Sequence, residues 1–261
     1  MQSLKIAATG MSAQQMRVDV ISNNLANMST TAYNARRAEF ADLHYQQLTR
    51  PGTINASDGT IVPTGVQIGL GVRPSAVSVD HRQGSLSATG GELDIAIDGD
   101  GYLEVTLPSG ASAYTRDGGL KLSPEGLIVT SDGYPVIPEI TVPDDTRSIS
   151  ISPDGEVFAY FDGEVEAESL GQFTLADFSN EKGLEAIGDN LFLETEASGP
   201  PLVTDPGEDG LGTIRQGYLE DSSVDAVREI TDLIQAQRGY ELNAKVITAV
   251  DQMLGATTQI R

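Results

Sequence analysis

Apolar residues recur at helical spacing at the two ends of the chain, and the middle follows a different pattern. At the N-terminal end, intervals of three and four residues predict an amphipathic helix from Ser3 to about Asn27. Gln14 and Gln15 interrupt this stripe, and Gly10 weakens the helix. Its apolar positions are Leu4, Ala7, Ala8, Met11, Val18, Ile21 and Leu25.

A second stripe predicts a helix of about 35 residues that begins after Ser222, with the Ser222 side chain capping the amide of Asp225. Both stripes are too long to be buried by the middle of the chain, so the two helices are expected to pair with each other. The apolar positions of the second stripe are Val227, Ile230, Leu233, Ile234, Tyr240, Ala244, Ile247, Val250, Leu254 and Ile260.

The middle of the chain has the features of an antiparallel β region. Asp-Gly pairs recur between short alternating or β-rich runs, which indicates strands joined by tight hairpins. Residues 46–75 are rich in Gly, Pro, Thr and Ser and contain Ile61-Val62-Pro63, which predicts an extended arm or hairpin. The stretch from Phe40 to Leu48, which contains His44, is interpreted as helical. The predicted strands are Leu93–Ile97, Tyr102–Leu107, Leu127–Thr130, Ser148–Ile151, Val157–Phe161 and Gln172–Leu175.

Together these patterns predict an α+β fold, in which N- and C-terminal helices pair as a coiled-coil-like unit around a central, mainly antiparallel β domain. Four segments follow. They are an N-terminal helical core segment (1–45), an extended arm or hairpin linker (46–80), an acidic all-β outer domain (81–220) and a C-terminal helical core segment (221–261).

Charge is distributed as unevenly as hydrophobicity. The net charge is −22, and residues 81–220 contribute 6 bases and 27 acids, whereas the predicted helical ends are nearly neutral. Such a surface argues against binding to nucleic acid or to anionic lipid, which both require a basic face. It favours solubility and mutual repulsion of exposed surfaces.

No pattern in the chain indicates catalysis, so we predict neither an enzyme nor catalytic, cofactor-binding or metal-binding residues. Cysteine is absent, and the two histidines, His44 and His81, have no neighbour at metal-ligand spacing. Asp98-Gly99-Asp100-Gly101 begins like a calcium loop, but its twelfth position is Ser109 rather than Glu. No cleavable signal peptide and no membrane-spanning run are apparent.

Four blocks of sequence resemble the bacterial flagellar rod and hook proteins, and together they cover essentially the whole chain. The first is Ser22-Asn23-Asn24-Leu25-Ala26-Asn27. The others are Asp94–Tyr102, Tyr114–Val136 with its Tyr-Thr-Arg-Asp-Gly start, and Gln237–Leu254. The arm Gly65–Pro74 and Gln83-Gly84 resemble the distal-rod members of the family, with proximal-rod and hook proteins as the nearest alternatives.

One position departs from the family pattern. Family members usually carry Gly before the aromatic residue that follows the Asn motif, and here Ala32 precedes Tyr33. A left-handed backbone at this position would strain Ala.

The resemblance implies a structural polymer, a helical tube that crosses the periplasm and transmits motor torque to the hook. Its implied partners are further copies of itself, the proximal-rod and hook proteins, the P- and L-ring proteins as bushing and the flagellar export apparatus. Subunits would leave the cell unfolded by type III export, without a cleaved signal peptide. Two other classes remain open, an extracytoplasmic binding module such as an adhesin and an enzyme acting on peptidoglycan.

We predict that the apolar stripes and the Asn motif supply the self-assembly interface. The candidate residues are Leu4, Met11, Val18, Ile21, Asn24, Leu25, Asn27, Val227, Ile230, Leu233, Ile234, Tyr240, Ile247 and Leu254.

Overall fold

A computed structural model describes residues 2–49, 64–162, 167–208 and 210–259. The chain divides into two compact units. Unit 1 contains residues 1–26, 36–79 and 225–261, and unit 2 contains residues 27–35 and 80–224. The architecture is α+β with mainly antiparallel strands, as the sequence predicts. The four segment boundaries proposed from the sequence stay predictions.

Two long helices and twenty strands make up the described chain. The helices are α1 (Gln2–Ala26) and α2 (Ala226–Gln259). The strands of unit 1 are β1 (Arg36–Asp42), β2 (Tyr45–Thr49), β3 (Val66–Gly69) and β4 (Val72–Val79). Those of unit 2 are β5 (Leu86–Ala88), β6 (Ile95–Asp98), β7 (Tyr102–Thr106), β8 (Ser112–Thr115), β9 (Lys121–Leu122), β10 (Ile128–Val129), β11 (Val136–Ile137), β12 (Thr146–Ile151), β13 (Glu156–Phe161), β14 (Glu168–Gln172), β15 (Leu175–Asp177), β16 (Glu185–Gly188), β17 (Leu191–Leu193), β18 (Leu202–Thr204), β19 (Thr213–Gln216) and β20 (Tyr218–Glu220).

Unit 1 combines the two helices with a long antiparallel ribbon. Strand β1 pairs with β4 from Arg36 opposite Val79 to Asp42 opposite Val72, and β2 pairs with β3. The interpretation of Phe40–Leu48 as helical is therefore wrong. These residues form β1 and β2, because backbone pairing with β3 and β4, which lie far along the chain, overrides the local pattern. Ile61-Val62-Pro63 lies outside the described residues.

The helix boundaries agree with the sequence at one end and differ at the other. Helix α1 ends at Ala26, within the predicted Asn-rich stop. Helix α2 begins at Ala226, and its cap is Asp225, whose carboxylate accepts hydrogen bonds from the amides of Val227 and Arg228 at 3.0 and 3.2 Å. The predicted Ser222 cap is wrong, because the Ser222 hydroxyl accepts from the Val224 amide before the helix starts.

Unit 2 is an antiparallel β structure with a continuous apolar interior, so the predicted β region is confirmed. Its largest sheet has the order β16-β17-β8-β7-β15-β18, with β11 also paired to β7. A second sheet has the order β12-β13-β14, and β6–β19, β5–β20 and β9–β10 form two-stranded ribbons. The fully buried side chains of the core include Tyr102, Leu103, Tyr114, Phe173, Leu175 and Ile214.

Residues 27–35 belong to unit 2 and are bound to it by backbone hydrogen bonds. The Ala32 amide donates to the Glu220 carbonyl at 2.8 Å, and the Asn190 side chain donates to the Thr31 carbonyl. Ala32 is buried and has a φ of +53°, the left-handed conformation that the departure from the family's Gly anticipated. The fold thus holds a non-glycine residue in a strained turn.

Candidate assembly surface

Helices α1 and α2 pack antiparallel, and three contacts between them involve small or polar residues. A Cβ placed on Gly10 would lie 3.0 Å from the Asn243 side-chain nitrogen, and one placed on Gly239 would lie 3.2 Å from Gln14 Cδ. Further along, Arg17 Nη2 donates to Asp232 Oδ1 at 3.1 Å. From one contact to the next the residue numbers rise along α1 and fall along α2, as expected for an antiparallel pair.

Asn24 links three elements of unit 1. Its side chain is 1% exposed. Its Nδ2 donates to the Arg36 carbonyl at 2.8 Å, and its Oδ1 accepts from the Arg36 amide at 2.9 Å, so it joins the last turn of α1 to the start of β1. Asn24 also hydrogen-bonds the Glu229 carboxylate on α2, which lowers the pKa of Glu229, but burial is the larger effect and the net shift is upward.

A neighbouring side of α1 packs on the ribbon. The Thr9 hydroxyl donates to the Ile6 carbonyl at 2.8 Å and accepts from the Val72 amide at 3.4 Å. Gly71 approaches Thr9 so closely, with a φ of +119°, that a larger residue would clash with its hydroxyl. Helix α1 therefore lies between α2 and β4 and exposes little apolar surface.

Helix α2 instead exposes large apolar side chains. Val227, Ile230 and Ile234 are 76%, 46% and 45% exposed, and their spacing of three and four residues places them on one face of the helix. Tyr240, Leu242, Val246, Met253 and Leu254 are also exposed. Monomeric proteins rarely expose contiguous apolar patches of this kind, and such patches mark interaction sites. We call Val227, Ile230 and Ile234 the α2 apolar face.

The predicted interface residues fall into three groups by exposure. Their role in assembly stays a prediction. Ile21 and Asn24 are buried within the chain. Leu4, Met11, Val18, Leu25, Asn27, Leu233 and Ile247 are half-buried. Val227, Ile230, Ile234, Tyr240 and Leu254 are exposed.

Sequence reasoning missed three exposed apolar residues on α2, namely Leu242, Val246 and Met253. Their intervals of four and seven residues carry the same helical signal. They fall outside the predicted stripe because it runs through Tyr240 and Ile247, which lie on a different side of the helix.

The β2–β3 hairpin adds a second exposed apolar surface to unit 1. Tyr45, Leu48, Val66 and Leu70 are all exposed. They lie on either side of residues 50–63, which are outside the described chain. That segment lies within residues 46–75, for which the sequence predicts an arm or hairpin.

Unit 2 contains a buried ion pair that connects distant parts of its sequence. Arg116 and Glu220 are 7% and 3% exposed, and Arg116 Nε donates to Glu220 Oε2 at 3.0 Å. The other guanidinium nitrogens donate to the carbonyls of Gly101 and Gly99 at 2.9 and 2.8 Å. Glu220 Oε1 accepts from the Gly84 amide at 2.9 Å. Because every guanidinium nitrogen and both carboxylate oxygens have a hydrogen-bond partner, the pair can be buried.

His81 lies beside this pair and is packed rather than exposed. Its Nδ1 is 3.0 Å from the Tyr102 hydroxyl, and its ring is tilted against Phe192. Burial, followed by the charges of Arg116 and Lys182, lowers the pKa of His81 below its usual range. Burial also raises the pKa values of Tyr102 and Glu181. The arrangement is a packed polar cluster, and nothing in it indicates a nucleophile or a substrate cavity.

Neither of the two long helices carries, over its described residues, a stretch apolar enough to cross a membrane.

Three family models match the chain. Residues 4–33 match a model described as flagella basal body rod protein, and residues 96–159 match the flagellar hook protein FlgE/F/G D1 domain. Residues 215–260 match the C-terminal model of flagellar basal body rod FlgEFG proteins. The first and last matches contain α1 and α2, and the middle match contains much of the β structure of unit 2.

Curated relatives match along the full length. The flagellar basal-body rod protein FlgG of Caulobacter vibrioides is 54% identical over 261 residues, which is 100% of both chains. That of Agrobacterium fabrum is 49% identical over 97% of each chain, and that of Bacillus subtilis is 38% identical over 97% of each. With this identity over its whole length, the chain belongs to the FlgG family of flagellar basal-body rod proteins.

Proposed function

We propose that the protein is a structural subunit of the distal rod of the bacterial flagellar basal body. The observation that carries this proposal is the α2 apolar face, which has no covering element among the described residues of unit 1. Burying a side chain such as Ile230 in a protein contact contributes about 1.5–3 kcal/mol. Copies of the same chain can supply that contact many times over.

The rod is proposed to grow by a heterologous contact repeated along a screw axis, which yields an open helical tube. The helices of unit 1 would pack against neighbouring copies in the inner wall. Unit 1 carries 10 bases and 9 acids, so charge does not oppose this packing, whereas unit 2 carries 6 bases and 29 acids. The acidic unit would then face solvent and discourage lateral sticking.

The β2–β3 hairpin and residues 46–75 as a whole are proposed to reach a neighbouring subunit and stiffen the tube. The exposed Tyr45, Leu48 and Val66 support this, because they offer an apolar surface on an otherwise polar ribbon. A stiff shaft is what torque transmission from motor to hook requires.

A subunit in the distal rod would contact other parts of the basal body, and we propose these as further partners. They are the proximal-rod and hook proteins at the two ends, the P- and L-ring proteins as bushing, and the flagellar export apparatus. We propose that subunits are exported unfolded, without a cleaved signal peptide. A chain without cysteine suits this route, because it forms no disulfides on the way. A proximal-rod or hook subunit, a binding module and a peptidoglycan enzyme are less favoured than a distal-rod subunit.

Electron microscopy of the purified protein tests the proposal. Intact protein should form tubes or filaments, and a variant with Val227, Ile230 and Ile234 replaced by Ser should not. The matched control replaces Ile187, Leu202 and Val203, which are exposed to a similar degree on unit 2. The control should assemble normally. Equal assembly by both variants, or by a version lacking residues 1–30 and 225–261, would refute the proposal.

A further inference from the structure

We propose that two reciprocal glycine–amide contacts, Gly10 with Asn243 and Gly239 with Gln14, determine the register of α1 on α2. The proposal concerns how each subunit assembles its own helix pair. The proposal rests on the proposed function only in those tests that measure tube formation.

The two contacts have the same composition, with the roles of the two helices exchanged. On α1 a glycine is followed four residues later by an amide, Gln14, and on α2 Gly239 is followed four residues later by Asn243. In the antiparallel pair each amide fills the space left by the glycine opposite, at 3.0 and 3.2 Å from the position a Cβ would take. A side chain larger than hydrogen at either glycine would push against the amide.

Slippage by one turn is penalised in both directions. If α1 met α2 residues four positions earlier, Gly10 would face Gly239 and leave a void, and Arg17 would face Arg228 instead of Asp232. If it met residues four positions later, Gln14 would collide with Asn243 and Arg17 would face Ala236. Of these three registers, only the observed one places a glycine opposite an amide side chain at both contacts and Arg17 beside an acid.

A buried polar atom in the seam between α1 and α2 lowers the stability of the helix pair, which supports a role in selecting the register. The Gln14 Oε1 atom is buried and has no hydrogen-bond partner among the residues that the structure describes. An apolar residue would bury more favourably there, whereas a polar residue in a helix seam selects one register and one partner. The large apolar side chains of α2 are left to face away from α1.

Exchanging the members of one contact tests the proposal. Gly10→Asn alone places two amides together, and Asn243→Gly alone leaves a gap, so each should reduce tube formation by about tenfold or more. The double variant restores one large and one small residue, and its tube formation should return to within about threefold of the original protein. A double variant no better than the worse single variant would overturn the register role.

A mixture of the two single variants distinguishes pairing within a chain from pairing between chains. Within a chain, one variant holds two amides and the other two glycines, so mixing should restore nothing. Between chains, α1 of the Gly10→Asn variant would meet α2 of the Asn243→Gly variant, and the remaining α1 and α2 would form the original contact, so mixing would restore assembly. Rescue by mixing would therefore refute pairing of α1 with α2 within each subunit.

Cross-linking gives a readout that does not depend on the amount of polymer. Arg17→Cys with Asp232→Cys puts the only two thiols of the chain at a contact in the observed register. In assembled protein, a short bismaleimide should yield a monomer of altered gel mobility and few dimers. Predominant dimers would contradict intrachain pairing. If the unmodified protein forms no tubes at all, the proposed function fails, and the cross-link in the free chain still tests the register.

Discussion

The two units of this chain use their apolar residues in opposite ways. Unit 2 buries Tyr102, Leu103, Phe173 and Leu175 completely and carries 29 acids against 6 bases. On α2 in unit 1, Ala236 and Val250 are buried, and the large apolar side chains Val227 and Ile230 stay exposed. Unit 2 therefore closes its apolar interior on itself, whereas unit 1 leaves large apolar side chains of α2 in contact with water.

Apolar residues can close a core within one chain or form a surface that other molecules cover, and composition alone does not distinguish these two uses. A β core closes on itself because alternate side chains of each strand point inward. A long helix that pairs through small and polar residues retains a second apolar face. Stability of the monomer should therefore depend on unit 2, and assembly on unit 1.

The largest expected effect is the contrast in hydrogen exchange between the two units. In the free monomer, amides of α1 and α2 over residues 3–25 and 225–258 should exchange rapidly, because α2 leaves large apolar side chains in water and α1 packs mainly on α2. Core amides of β7 and β8 should exchange only through global unfolding, at about 5–15 kcal/mol. In the polymer the helical amides should become protected. Strong protection of both helices in the monomer would show that unit 1 needs no partner.

Truncation of a core side chain should give the largest effect of a single substitution. Phe173 is fully buried in unit 2, so Phe173→Ala should lower the free energy of unfolding by about 3–5 kcal/mol. Ile234→Ala on α2 should change it by less than about 0.5 kcal/mol in the monomer, because that side chain is already in water. Urea titration of the two variants measures both. Similar losses would remove the distinction between the units.

The buried ion pair of unit 2 should be nearly as sensitive. Glu220→Ala removes the partner of Arg116 and leaves a buried charge, which should destabilise the monomer by about 3–5 kcal/mol. The control is Asp98→Ala, which removes the exposed partner of Arg215 and should change stability by less than about 1 kcal/mol. If thermal melting shows equal shifts for both, the buried pair does not support unit 2.

How much of this could be predicted depended on the sequence separation of the interacting residues. The two helices and five strands of unit 2, namely β6, β7, β10, β12 and β13, follow local periodicity, and the sequence predicted them. Strands β1 and β2 were mistaken for helix because their partners lie beyond residues 50–63. The Arg116–Glu220 pair joins residues 104 positions apart and has no local signal. In the sequence, Gly10 and Gln14 are seen only as interruptions of the apolar stripe of α1, because their role depends on the residues of α2 that they contact.

Mild acid should weaken unit 2 through His81. Its pKa is lowered in the folded state, so below its ordinary pKa of about 6.5 the unfolded chain binds more protons, and stability falls as the pH drops. Glu181 acts oppositely at lower pH, because its raised pKa makes the folded form gain stability on protonation.

Melting temperatures at pH 7.5 and pH 5.5 measure this effect. His81→Gln should flatten the dependence of stability on pH. His44→Gln, at an exposed position between β1 and β2, should leave it unchanged. An equally steep dependence in the His81 variant would assign the acid sensitivity to other groups.

The smallest expected effect compares two glycines that both lie within helices of unit 1. Gly255→Ala on α2 should stabilise the assembled protein by up to about 1 kcal/mol, because Ala is the better helix former and its Cβ would meet nothing within 4 Å. Gly10→Ala receives the same gain in helix propensity, but its Cβ would lie 3.0 Å from Asn243, so the net gain should be smaller or negative. Thermal dissociation of tubes made from each variant measures the difference. Equal stabilisation by the two substitutions would mean that the space at Gly10 is not required, and that the seam of unit 1 is as tolerant as its exposed surface.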